Sequence, residues 1–220
     1  MGAAAWRLRA KHPLPIVAAT LILAAVLLGL ATDAGWMRAA DIHIANALVF
    51  RIGESSPAFV AFMQAVSWIG GGMPRWVVVA LLSLLVWRWR GRRGALVLAG
   101  ASLLASLASS LLKAGFDRAR PDMIAHLDAV SNASYPSGHA TNTAVLYLLL
   151  AWLAPPRRRA PFWALAAAMI VLNGLSRIML GVHWPTDVVG GTLLGATFAM
   201  LGAWAATPPA GRSSPRAFRA

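Results

Sequence analysis

The sequence predicts an all-α fold, a polytopic bundle of six transmembrane helices with short interfacial helices on the outer side. Three observations predict it. Of 220 residues, 59% are hydrophobic and only 12% charged, where an ordinary soluble domain carries about a quarter charged residues. Leu-, Ala- and Val-rich stretches of membrane-spanning length recur from end to end. The charges, moreover, segregate between alternate connections of those stretches. With no linker and no internal repeat, residues 1–220 read as a single integral-membrane domain. The composition excludes disorder, collagen-like repeats, coiled coils and disulfide scaffolds. The absence of cysteine excludes thiol catalysis and Cys-based metal sites.

The first span, 13–32, follows the basic residues Arg7, Arg9 and Lys11. That start resembles a signal peptide, but the apolar run is longer than a usual h-region, so the span reads as retained. Next, Ile44, Ala45, Leu48, Val49 and Ile52 follow helical spacing, with His43 and Asn46 off that face. They fit an interfacial amphipathic helix or two turns of ordinary loop-adjacent helix. Residues 57–69 are apolar, yet thirteen helical residues cover only about 20 Å of a roughly 30 Å hydrocarbon core. This segment is read as lying at the outer surface or re-entering from it. Five more spans follow at 74–87, 94–112, 140–154, 161–176 and 188–206. Trp6, Trp36, Trp76, Trp87, Trp89, Trp152, Trp184 and Trp204 sit near span ends, as interfacial anchors do. Gly190, Gly191 and Gly195 on the last span predict close helix packing within the chain.

A net charge of +13 invites a nucleic-acid reading until the charges are located. With the N-terminus inside, thirteen basic and no acidic residues fall on the cytoplasmic side. They come from the N-terminal segment, the RWRGRR and PPRRRAP connections and the C-terminal tail. All seven acidic residues and the other seven basic ones fall outside. The excess charge is topological, and nucleic acid is not an expected partner.

Three polar clusters emerge on the same outer face: KAGFDRARP (113–121), YPSGH (135–139) and SRIMLGVHWPTD (176–187). Lys113, Arg120 and Arg177 bring three cations together, and arginine's fork suits phosphate oxygens. Ser137, Gly138 and His139 sit where a helix begins, so their N–H groups can point at an anion, with Gly138 permitting close approach. His139 and His183 can supply the nucleophile and the proton donor that phosphoryl transfer needs. Asp187, four residues after His183 and near a helix N-terminus, can hold one ring nitrogen of His183 and expose the other. Arg118 and Asp117 read as a pair or as solvated, His43 and His126 as surface or loop residues, and His12 as an interfacial residue on the cytoplasmic side. Tyr135 reads either as packing beside the site or as shaping lipid entry.

The order Lys-x6-Arg-Pro, Pro-Ser-Gly-His, Ser-Arg-x5-His-x3-Asp resembles the type 2 phosphatidic acid phosphatase (PAP2) superfamily, which also includes vanadium haloperoxidases and bacterial acid phosphatases. All three motifs are complete and in order, and the six-span layout covers nearly the whole chain. The resemblance implies a phosphohistidine on His183, protonation of the leaving group by His139 and orientation of His183 by Asp187. It implies that Lys113, Arg120, Ser137, Gly138 and Arg177 hold the phosphoryl oxygens, and it implies no metal and no cofactor. The expected protein is a lipid phosphatase of a bacterial inner membrane, with both termini cytoplasmic and the site on the periplasmic side. Its expected partners are the bilayer and a lipid phosphate or diphosphate: undecaprenyl diphosphate first, then phosphatidylglycerophosphate or phosphatidic acid. The alternatives are a lipid-linked phosphotransferase using the same intermediate and a vanadium-dependent haloperoxidase. The oligomeric state is not legible.

Overall fold

The computed structural model describes residues 13–51, 53–130 and 133–207, and the regular structure among them is entirely helical. The helices are α1 (Pro13–Asp33), α2 (Arg38–Leu48), α3 (Pro57–Gly70), α4 (Gly72–Phe116), α5 (Gly138–Leu153), α6 (Arg159–Met179) and α7 (Pro185–Ala206). A 3-10 turn, Pro156–Arg158, precedes α6. Four helices (α1, α4, α6 with that turn, and α7) are long and apolar enough to cross a membrane by length and composition. Their outward faces carry exposed large apolar side chains, among them Leu27, Leu81, Leu104 and Val171, a surface suited to lipid rather than water.

The 45-residue α4 is not one rod. Gly91 takes φ 68°, ψ −174°, outside helical space, and divides it into arms 72–90 and 92–116. Arg75 Nη2 on the first arm donates to Ser106 Oγ on the second at 3.0 Å. A straight helix would hold those residues roughly 45 Å apart, so the arms fold back on one another. These arms are the two stretches expected at 74–87 and 94–112, joined by a single residue of turn rather than a loop.

Helix α5 is the axle of the bundle, packed against α4, α6 and α7. Its residues are apolar nearly all round, as befits a helix without a solvent face. Two glycines on α7 let it come close: a Cβ at Gly191 would overlap Ser137 O, and one at Gly195 would overlap Thr141 O. The Gly-xxx-Gly spacing is thus used inside the chain. The main core gathers Val86, Leu98, Val145, Leu149, Ala199 and Ala203 between these helices.

One local expectation is corrected in part. Helix α2 begins at Arg38; Ala45 and Val49 of the expected apolar face are buried, but Ile44 is exposed and Asp41 is buried instead. The cause is electrostatic: Asp41 pairs with Arg118 at 2.7 Å and accepts from Thr186 N–H at 3.0 Å, which turns that face inward. Ile52, expected on the apolar face, lies outside the described residues, as do the basic residues of both terminal segments. Helix α3 packs on α6 and α4 through Met63, Val66, Ser67 and Gly70.

Candidate active site

The end of α6 and the start of α7 build the first wall. Gly181, at φ 75°, turns the chain as α6 ends, and the His183 N–H then donates to Arg177 O at 3.2 Å. Pro185 opens α7, and Asp187 in its first turn accepts from the Trp184 N–H at 2.8 Å. That fixes Asp187 Oδ2 at 3.4 Å from His183 Nδ1. Ser134 donates its hydroxyl to the same carboxylate oxygen and lies 3.3 Å from His183 Nδ1. On the other side of the ring, Arg120 Nη1 lies 3.2 Å from His183 Nε2. A guanidinium can only donate, so Nε2 carries the lone pair and the ring proton sits on Nδ1, toward Asp187. Burial, reinforced by the charges of Arg177, Arg120 and Lys113, holds the His183 imidazolium well below its ordinary value, so the ring is neutral.

The second wall comes from the end of α4 and the start of α5. Asp117, in the left-handed region at φ 42°, ends α4, its N–H returning to Lys113 O at 3.0 Å. Ser137 caps α5, its hydroxyl accepting from the Ala140 N–H at 3.5 Å, and its own N–H donates to Asp187 O at 2.9 Å. Helices α5 and α7 are thereby locked together at their N-termini. A Cβ on Gly138 would meet only ordinary contacts, Ser109 Oγ at 3.7 Å and Lys113 Cε at 4.0 Å. Packing does not demand glycine there.

Lys113, Arg120, Gly138, His139, Arg177 and His183 all line one cavity of about 400 Å³. The three motifs, far apart in sequence, thus converge. Burial and the neighbouring Arg177 lower the Arg120 guanidinium to about 10, still cationic at neutral pH. Arg177 is 1% exposed, donates to Ser67 Oγ and pairs with Asp128, and its Nε has no hydrogen-bond partner among the described residues. Burial alone would raise the Asp128 carboxyl, but hydrogen bonds from Arg177 and Ser67 hold it below its ordinary value. Lys113 Nζ donates to Ala133 O and to Ser134 O, the latter at 3.2 Å. Ser137 and Asp187 are fully buried behind the cavity rather than on its wall.

Several residues here were not singled out by sequence reasoning. Arg118, read as a local pair or solvated, instead bridges Asp187 at 2.5 Å and Asp41 at 2.7 Å. Ser134, Asp128 and Ser67 orient the histidine and the arginine. Arg75 lines the cavity from the first arm of α4. Of these, only Arg118 had a sequence signal, its place inside the first motif. Tyr135 is fully buried, donates to Ala25 O and stacks edge-on against Phe116 at 5.1 Å, so it ties α1 to the site loop. His43 is exposed, and the exposed His126 bonds Pro121 O at 2.7 Å.

Comparison with known proteins gives a consistent answer. The family model of the PAP2 superfamily matches residues 94–208. The chain is 34% identical over 159 residues to a decaprenylphosphoryl-5-phosphoribose phosphatase of Mycobacterium tuberculosis, covering 71% of this chain and 82% of the relative. It is 39% identical over 97 residues to phosphatidylglycerophosphatase B of Bacillus subtilis, covering 40% and 46%. Among solved structures, a transmembrane PAP2-type phosphatidylglycerolphosphate phosphatase of Bacillus subtilis superposes with a TM-score of 0.76 at 27% identity, covering 87% of this chain and 94% of that one.

Proposed function

The chain belongs to the PAP2 superfamily, and we propose that it is an integral-membrane phosphatase removing the terminal phosphoryl group of a lipid phosphate or diphosphate. One observation carries the reading. His183 presents an unprotonated Nε2 to a cavity whose wall holds four cations, Arg75, Lys113, Arg120 and Arg177, and a second histidine. The anionic phosphoryl group docks among Lys113, Arg120 and Arg177, with the Gly138 and His139 N–H groups completing its cradle. The Ser137 N–H, expected to face the anion, is held by Asp187 O instead. His183 Nε2 attacks phosphorus, the bond to the leaving oxygen breaks, and that oxygen takes both the electron pair and a proton from His139. Asp187 stabilises the ring as it becomes cationic. Water, deprotonated by His139, then attacks the phosphohistidine and releases phosphate.

The membrane layout proposed with it has six spans: α1, the two arms of α4, α5, α6 and α7, in one domain. The arginines near Gly91 and Pro156 lie at the cytoplasmic end and the cavity opens at the outer end, following the positive-inside rule. Polyprenyl diphosphate is the first substrate, followed by phosphatidylglycerophosphate and phosphatidic acid. The test is phosphate release by the purified protein across a panel of lipid phosphates with a chelator present. Metal-independent release that His183→Ala abolishes supports the reading, and no release from any member of the panel refutes it.

A further inference from the structure

Beyond the two histidines, the cavity continues toward α3 and α4. A Cβ on Gly71 would overlap the His139 ring, so the α3–α4 junction lies directly over the proposed proton donor. Arg75 follows one turn later, its N–H returning to Gly71 O at 3.3 Å. Its guanidinium lies 4.7 Å from the Trp76 ring centroid and donates to Ser106 on the second arm.

Two polar atoms on this side are buried without hydrogen-bond partners among the described residues, Arg75 Nε and Ser109 Oγ. Ser109 is 3% exposed, and both residues line the cavity. Buried polar groups are normally satisfied, and the exceptions call for an explanation. Ser102, Ser106, Ser109 and Lys113, at helical spacings of four, three and four, form a polar stripe along the second arm of α4. Arg75 also borders a second, mainly apolar cleft lined by Ile69, Trp76, Val79, Leu146 and Met169. An arginine within a membrane-spanning arm is costly unless it has a task.

The order of groups is therefore nucleophile, proton donor, cation, apolar cleft. We infer that Arg75, with Ser109, forms a second phosphate subsite. It holds the phosphate that is not transferred, so the cavity is built for a lipid diphosphate. The inference rests on the proposed phosphatase reading. The leaving oxygen sits at His139, and in a diphosphate the atom beyond that oxygen is the second phosphorus. Arg75 lies on that side, with the apolar cleft beyond it. A monophosphate would place uncharged carbon beside Arg75 and gain nothing from it.

Farnesyl diphosphate and farnesyl monophosphate share one tail and differ by one phosphate, which makes them the probes. Arg75→Gln should lower the ratio of kcat/KM for the diphosphate over the monophosphate at least tenfold, mainly through KM for the diphosphate. Arg75→Lys should recover part of that ratio. In the wild-type protein, the methylene-bridged farnesyl diphosphonate should inhibit at a concentration at least tenfold lower than farnesyl monophosphonate. This arm stands even if the variants fail to fold. An unchanged ratio in Arg75→Gln, or equal inhibition of the wild-type protein by the two phosphonates, would make Arg75 a brace between the arms of α4 and overturn the inference. No phosphate release from either farnesyl substrate by the wild-type protein would instead refute the underlying phosphatase reading.

Discussion

Arg118 holds Asp187 through a 2.5 Å ion pair, although no motif spacing links the two residues. Its other terminal nitrogen reaches Asp41 on α2 at 2.7 Å, so one guanidinium ties α2 to the carboxylate behind His183. Asp187 and Asp41 are 0% and 1% exposed, and a buried carboxylate stripped of its cation is unfavourable. The fork thus fixes the carboxylate that fixes the ring.

From this follows the first prediction. Arg118→Ala leaves two buried carboxylates facing each other without their cation and should cost about 3–5 kcal/mol. Thermal unfolding in detergent checks it. Arg118→Ala combined with Asp41→Asn should be less destabilised than the sum of the two single changes. Strict additivity would mean that Arg118 and Asp41 are not energetically coupled.

The anion site gives the second. Arg120→Ala and Arg177→Ala should each reduce kcat/KM by two orders of magnitude or more, and lysine should substitute poorly at both positions. Arg177 must serve Asp128, Ser67 and the cavity from one planar group, which a lysine ammonium cannot do. Near-normal turnover of Arg177→Lys would show that only net charge matters. Vanadate, which can adopt the five-coordinate geometry of phosphorus in transfer, should inhibit competitively.

The motif residues were legible because their chemistry is written in short spacings: His183 to Asp187 is one helical turn, and Ser137-Gly138-His139 opens a helix. Hydrophobicity likewise marked both arms of α4, though not that a single residue, Gly91, would join them. The supporting shell was illegible because its partners meet only on folding. Asp41 and Arg118 are 77 residues apart, and Asp128 and Arg177 are 49 apart. Neither pair has a local pattern that would name the other member. Ile44 was misplaced on the inward face of α2 for the same reason, since hydrophobic spacing carries no information about a buried ion pair.

A third prediction concerns pH. The nucleophile must be unprotonated, and burial among cations lowers the His183 pKa well below that of a free imidazole. The neutral ring therefore persists as pH falls through 6.5, the ordinary histidine value. With an aryl phosphate, and after allowing for ionisation of the substrate, kcat/KM should stay level through that region and fall only at lower pH. An acid limb centred at the ordinary histidine value would contradict a buried, neutral His183.

Orientation is the fourth. The sequence has no cysteine, so single cysteines introduced at Ala125 and Arg158 report cleanly. Both positions are exposed. In intact cells a membrane-impermeant thiol reagent should label Ala125→Cys and not Arg158→Cys. The reverse pattern would invert the bundle and place the cavity at the cytoplasmic face.

The division of labour between the two histidines is the central claim, and trapping of the phosphoenzyme tests it most directly. The protein would be mixed with a phosphorus-labelled aryl phosphate, whose phenolate leaves without a proton, and quenched in base, where phosphohistidine survives. Wild-type protein should show a transient label. His139→Ala should accumulate it, because the ring that protonates the leaving group would also activate water in the second step. His183→Ala should show no label and no turnover with any substrate. Label on His183→Ala, or rescue of His183→Ala but not His139→Ala by the aryl phosphate, would show that the roles are reversed.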